Sequence, residues 1–87
     1  MHPAKIQLRG FDDFEISKLI KKAEELKSEV IKTKFGVDIF FDNVEDARMF
    51  ISKIQKEFRI EKRMSTENLG FKKGRGRFLF VYSVRKI

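Results

Sequence analysis

Apolar and polar positions alternate through Lys5-Ile6-Gln7-Leu8-Arg9, the period of a half-buried strand with Ile6 and Leu8 inward. Gly10 breaks it, and Asp12 then reads as a helix N-cap. Glu15, three positions on, completes a capping box, with Phe11 set against Ile16 as a hydrophobic staple. The spacing now changes to that of a helix. Ile16, Leu19, Ile20, Ala23 and Leu26 form one stripe and Lys18, Lys21, Lys22, Glu25 and Lys27 the other, with the end predicted near Ser28. Period two returns in Glu29 to Thr33 and Val37 to Asp42, two strands around a turn at Lys34-Phe35-Gly36, where Gly36 can supply a positive φ. Val37, Ile39 and Phe41 face one way; Asp38, Phe40 and Asp42 face the other. Asp42 or Asn43 caps a second helix, Val44 to Glu57, buried through Ala47, Phe50, Ile51 and Ile54. Phe58, Ile60, Lys62 and Met64 then alternate with Arg59, Glu61, Arg63 and Ser65 as a fourth strand, and Arg77 to Arg85 is a fifth. The polar stretch between them, ending in Gly70-Phe71-Lys72-Lys73-Gly74-Arg75-Gly76, reads as a hairpin loop.

The order β-α-β-β-α-β-β predicts an α+β two-layer sandwich, with two helices on one face of a largely antiparallel five-stranded sheet. A chain of 87 residues buries about 60–65% of its unfolded surface, enough for one core, so residues 1–87 read as a single α/β domain. Composition narrows the chemistry. There is no cysteine, which excludes a disulfide framework, a thiolate zinc site and a cysteine nucleophile, and His2 is the one histidine. No apolar run is long enough to span a membrane, and no signal peptide opens the chain. The expectation is a soluble, cytoplasmic protein without a membrane partner. Few Asn and Gln beside many Lys and Glu fit a heat-adapted source.

Charge changes the picture more. The net charge of +7 is segregated: residues 1–57 balance, while residues 58–87 hold nine Lys/Arg against only Glu61 and Glu67. Clustered cations attract polyanions. Four of them, Lys72, Lys73, Arg75 and Arg77, lie within six residues, spaced by Gly74 and Gly76. Glycines allow close backbone approach and arginine grips phosphate oxygens bidentately, so this loop is the first candidate for nucleic-acid contact. Arg59, Arg63 and Arg9 would support it from the uncovered sheet face, beside Lys5, Gln7 and Phe40. There Phe40 serves either to stack a base or to pack against a partner. Phe78 and Phe80 oppose Leu79 and Val81 on the fifth strand, which is apolar on both faces and calls for a partner or neighbouring domain to cover one of them.

Other chemistry is poorly supplied. Gly74 and Gly76 form no P-loop, because neither Lys-Ser/Thr nor a helix follows. Arg75 to Tyr82 fails the RNP1 pattern of RNA-recognition motifs at the first aromatic, the small residue and the next aromatic. Asp38 and Asp42 share a face but have no third ligand, so no metal site is expected. No catalytic residues, cofactor or small-molecule substrate are expected either.

Three stretches resemble a known family. Ala4-Lys5-Ile6-Gln7-Leu8-Arg9 resembles the strand that follows its zinc ribbons. Gly36-Val37-Asp38-Ile39-Phe40-Phe41, with Ala47 in the next helix, resembles its Gly-aliphatic-Asp-aromatic signature. Tyr82-Ser83-Val84-Arg85 resembles its last strand here, with Ser65 and Leu69-Gly70 as looser matches. The family is the large-subunit ribosome export adaptor named after nonsense-mediated mRNA decay, found in eukaryotes and archaea. The resemblance covers its middle α/β domain only: the zinc-ribbon cysteines and the C-terminal β-barrel have no counterpart here, and His2-Pro3 stands where an aromatic pair usually precedes Ala4. It implies a non-enzymatic domain that binds the large ribosomal subunit or its RNA. In eukaryotes this means nuclear export and late maturation; in archaea, ribosome assembly or stability. An excised domain and a short stand-alone relative both fit, and the former would give Phe40 and the last strand neighbouring domains to meet. The rival reading is a protein–protein or self-associating module whose exposed edge strand makes the contact and whose basic end serves solubility.

Overall fold

The computed structural model describes residues 3–26, 28–72 and 75–87, with the side chains of 68–77 outside that description. The elements are β1 (Ala4–Arg9), α1 (Asp13–Glu24), β2 (Ser28–Thr33), β3 (Gly36–Phe41), α2 (Val44–Glu57), β4 (Ile60–Lys72) and β5 (Arg75–Lys86). The strands form one sheet in the order β2-β3-β1-β5-β4. Only β1 and β5 run parallel; the other three neighbouring pairs are antiparallel. The α+β class and both helices on one face are as the hydrophobic periods predict.

Local chemistry fixes the element ends. Asp12 Oδ1 accepts from the Glu15 amide at 2.8 Å while Glu15 Oε1 accepts from the Asp12 amide at 3.0 Å, a reciprocal capping box. Asn43, rather than Asp42, caps α2, its Oδ1 accepting from the Asp46 amide at 2.7 Å. Three boundaries depart from the periodicity. Helix α1 stops at Glu24: Ser28 opens β2, and its hydroxyl donates to the Ala23 carbonyl at 2.7 Å, beside the Leu26 amide that donates to the same oxygen at 3.0 Å. Phe58 is the C-cap of α2, its amide donating to the Ile54 carbonyl at 2.9 Å, so β4 begins at Ile60 and Arg59 lies in the connection. The polar stretch from Gly70 to Gly76 is mostly strand. β4 runs to Lys72 and β5 starts at Arg75, with Lys72 opposite Arg75.

The core lies between the helices and the central strands. Ile6, Leu8, Ile39 and Phe41 meet Leu19 and Ala23 of α1 and Phe50 and Ile54 of α2, all fully buried. Phe41 and Phe50 pack ring against ring, centroids 5.5 Å apart. Burial alternates residue by residue along β1, so its core face is fixed by the period seen in the sequence.

The sheet is not even in length. β1, β2 and β3 have six residues each, while β4 and β5 have 13 and 12. The β1–β5 ladder begins at Ala4 opposite Phe80. From Phe80 and Thr66 outward, β4 and β5 pair only with each other among the described residues. A 13-residue strand spans about 43 Å, which matches the longest dimension of the molecule, 44 Å against 25 and 24 Å. The hairpin is therefore a two-stranded arm leaving a compact body. Its register slips between Asn68 and Gly70, a bulge of the kind that bends and twists a strand pair.

Candidate nucleic-acid interface

The arm collects the candidate cations by topology. Lys72 ends β4, Arg75 begins β5 opposite it, and Arg77 pairs with Gly70 two steps along. Residues 67–79 contain four cations and one acid, Glu67. Lys73 lies outside the described residues, as do the side chains of Lys72, Arg75 and Arg77; His2 and Lys27 are also outside. The backbone positions place Lys72, Arg75 and Arg77 at the end of the β4–β5 ladder that lies beyond its pairing with β1.

The body treats its charges differently. Arg9 is held by its own scaffold: one guanidinium nitrogen donates to Asp38 Oδ1 at 3.1 Å, and the other reaches the carbonyls of Leu8 at 2.9 Å and Val37 at 3.4 Å. Lys5 approaches the other Asp38 oxygen at 3.8 Å and lies 5.5 Å from the centre of the Phe40 ring. The Asp38 side chain is only 12% exposed, so its charge is stabilised by these two cations rather than by water. Gly36 completes the arrangement. Its φ is +152°, and a Cβ there would lie 2.3 Å from the Leu8 carbonyl oxygen and 2.9 Å from the Arg9 guanidinium. Glycine is required because a backbone and a guanidinium occupy the space of a side chain. Arg9 is thus a clamp between β1 and β3, with few donors left for a phosphate.

Glu15 and Glu57 are held in the same manner. The Lys86 ammonium contacts the Glu15 carboxylate and, with the Asp12 amide, holds it below the usual carboxylate range. Lys22 does the same for Glu57.

The remaining predicted residues separate. Arg63 stands on the helix-free face, 81% exposed at its side chain, and donates to Glu61 at 3.2 Å. Arg59 is exposed, and its carbonyl accepts from the Ile87 amide at 3.0 Å. Phe40 is half-buried, and Phe80 packs against the core because it shares a face with Tyr82 and Val84. Phe80 therefore contributes to this chain's own core as well as remaining partly exposed. Phe78 is 50% exposed at the root of the arm. Leu79 and Val81, on the opposite face of β5, are both buried.

Arg85 was not singled out by the sequence. It lines a shallow groove of about 260 Å³ with Glu61, Arg63 and Ser83, and makes no ion pair among the described residues. The available signal was its period-two relation to Ser83, which places it on the same face as Arg63. No group of three His, Cys, Asp or Glu capable of holding a metal occurs among the described residues, and no described helix is long and apolar enough to cross a membrane.

The three stretches that carry the family resemblance are β1, β3 and the end of β5, which are the three adjacent central strands. The signature Gly36-Val37-Asp38 has a physical meaning in that setting: close approach, core contact and the anchor for Arg9. No curated protein matches the chain. A family model described as NMD3, second domain, matches residues 3–85, and the match reaches all seven elements. The chain belongs to the NMD3 family and corresponds to its second domain.

Proposed function

We propose that this domain binds the large ribosomal subunit through phosphate contacts made by its basic arm, in the manner of an assembly, stability or export adaptor. NMD3 is a family of non-enzymatic, ribosome-associated export adaptors. The observation that carries the proposal is the separation of charge. The body pairs Arg9, Lys5, Lys22 and Lys86 with carboxylates of its own. Residues 67–79 carry four cations against one acid, and Lys72, Arg75 and Arg77 lie on a two-stranded projection. A narrow basic projection suits RNA, where shape and phosphates are read more than base edges. Lys72, Lys73, Arg75 and Arg77 are the proposed phosphate ligands, with Arg63 and Arg59 at the base and Arg85 added to them. Ribosomal RNA is the proposed partner and the cytoplasm the proposed compartment.

Binding to structured large-subunit RNA fragments should weaken with salt. About four neutralised phosphates give a slope of log K against log[salt] near −3, or about a 60-fold loss between 50 and 200 mM. Changing Lys72, Lys73, Arg75 and Arg77 together to Ala should abolish most of that slope. An unchanged affinity or a slope near zero in the unaltered protein defeats the proposal.

A further inference from the structure

The helices do not roof the whole sheet. α1 packs on β2, and α2 on β1 and β3. Tyr82 and Val84 of β5 are still buried, but the edge strand β4 has no helix over it. Lys62 and Met64 stand opposite Val84 and Tyr82 and so share their face. Met64 is 58% exposed. Between α2 and β4 runs a groove of about 340 Å³, with Tyr82 and Ile51 against the core and Arg48, Lys62 and Met64 at its rim.

Three properties of this groove converge. Its apolar surface comes from Ile51, Met64 and Tyr82, which suits an aliphatic side chain. Its charged lining residues are Arg48 and Lys62, both cationic, and no carboxylate lines it. Arg48 is steadied there, its Nε donating to the Tyr82 hydroxyl at 3.5 Å. Finally, β4 is an outermost strand of the sheet, so no strand among the described residues pairs with its outer edge. Such an edge is a template for an added strand.

We propose that the β4 edge and the α2–β4 groove together dock an acidic peptide segment in extended form. The segment pairs with β4 as a sixth strand. Because alternate residues of a strand share a face, a large apolar residue beside Met64 places the residue two positions away beside Lys62. The recognised pattern is therefore an acidic and a large aliphatic residue two positions apart, with the carboxylate between Arg48 and Lys62. RNA fits this groove poorly, since Tyr82 is only 4% exposed and offers no ring face for a base.

A labelled peptide of about nine residues, Thr-rich with a central Glu-Thr-Leu-Thr-Glu, tests this by fluorescence anisotropy against the whole chain. Saturable binding is expected, at least about tenfold weaker for the Lys-for-Glu counterpart and for Arg48→Glu or Lys62→Glu protein. Tyr82→Phe, which releases Arg48, should cost about two- to threefold. Backbone amide shifts should change along residues 61–66 on saturation. Equal binding of both peptides, no binding, or full displacement by a single-stranded RNA of equal charge overturns the proposal. None of these variants alters Lys72, Lys73, Arg75 or Arg77, so salt-dependent RNA binding by the arm survives or fails independently.

Discussion

The body and the arm of this domain use the same residue types for opposite ends. In the body, several cations are structural: Arg9 clamps Asp38 and two carbonyls, Lys86 holds Glu15, and Lys22 holds Glu57. In the arm, Lys72, Arg75 and Arg77 stand on two strands with no third strand beside them among the described residues, and residues 67–79 contain a single acid, Glu67. A paired charge has exchanged its water for a partner and has little left to offer a ligand. A cation without such a partner keeps its field and can steer a polyanion toward it. The family signature belongs wholly to the first region. Gly36, Val37 and Asp38 secure β3 against β1, so they report the fold, while the proposed contact surface lies elsewhere.

Substitutions can break this contrast. The largest expected effect is in the core. Phe50→Ala removes a fully buried ring packed on Phe41 and should cost about 3–5 kcal/mol in chemical denaturation. Gly36→Ala comes next, at about 2–4 kcal/mol, because the new methyl collides with the Leu8 carbonyl at a backbone angle that suits glycine. A cost under about 0.5 kcal/mol would show that the clamp does not need that space. Arg9→Met leaves Asp38 with only Lys5. Since the pair is partly solvated, about 1–2 kcal/mol is expected in the same measurement.

Acid sensitivity sharpens the contrast further. Glu15 and Glu57 have folded-state values lowered by Lys86 and Lys22. Each contributes stability that is present above the ordinary unfolded carboxylate value and is lost as pH falls through the lower folded one. Glu15→Gln should therefore flatten the acid limb of thermal melts recorded from neutral pH downward, and a limb as steep as the parent's would exclude the Lys86 contact as its source. The smallest effect is expected where function is proposed. Replacing all four arm cations by Ala should move the denaturation midpoint by less than about 0.5 kcal/mol while removing the salt-dependent RNA affinity. A large loss of stability would mean that the arm charges hold the fold after all.

Much of the body is legible from periodicity alone. The capping box at Asp12 and Glu15, the alternation of β1 and the buried stripe of α2 all rest on contacts within one turn or one strand, which neighbouring residues specify. The misread boundaries have a common cause in partners distant in sequence. Glycines and lysines over residues 70–76 resemble a loop locally, yet cross-strand pairing draws Gly70, Phe71, Lys72, Arg75 and Gly76 into a ladder. Phe58 alternates with β4 but is claimed by the α2 C-terminus, and Phe80 looks surplus until the sheet places it over the core. Arg9 looked available as a phosphate ligand because nothing in its neighbourhood announces Asp38, 29 residues away.

By itself, then, the sequence determined the element order, the helix caps, the core faces and the concentration of charge in the last 30 residues, because each depends on local spacing or simple counting. Only the tertiary structure decided which cations of the body are paired. Pairing β1 with β3 brings Asp38 to Arg9 and Lys5, packing of α1 against α2 and β5 brings Glu57 and Glu15 to Lys22 and Lys86, and the long β4–β5 hairpin extends beyond them. Ion pairing depends on distance in space, which falls steeply through solvent and salt, and no pattern along the chain encodes it.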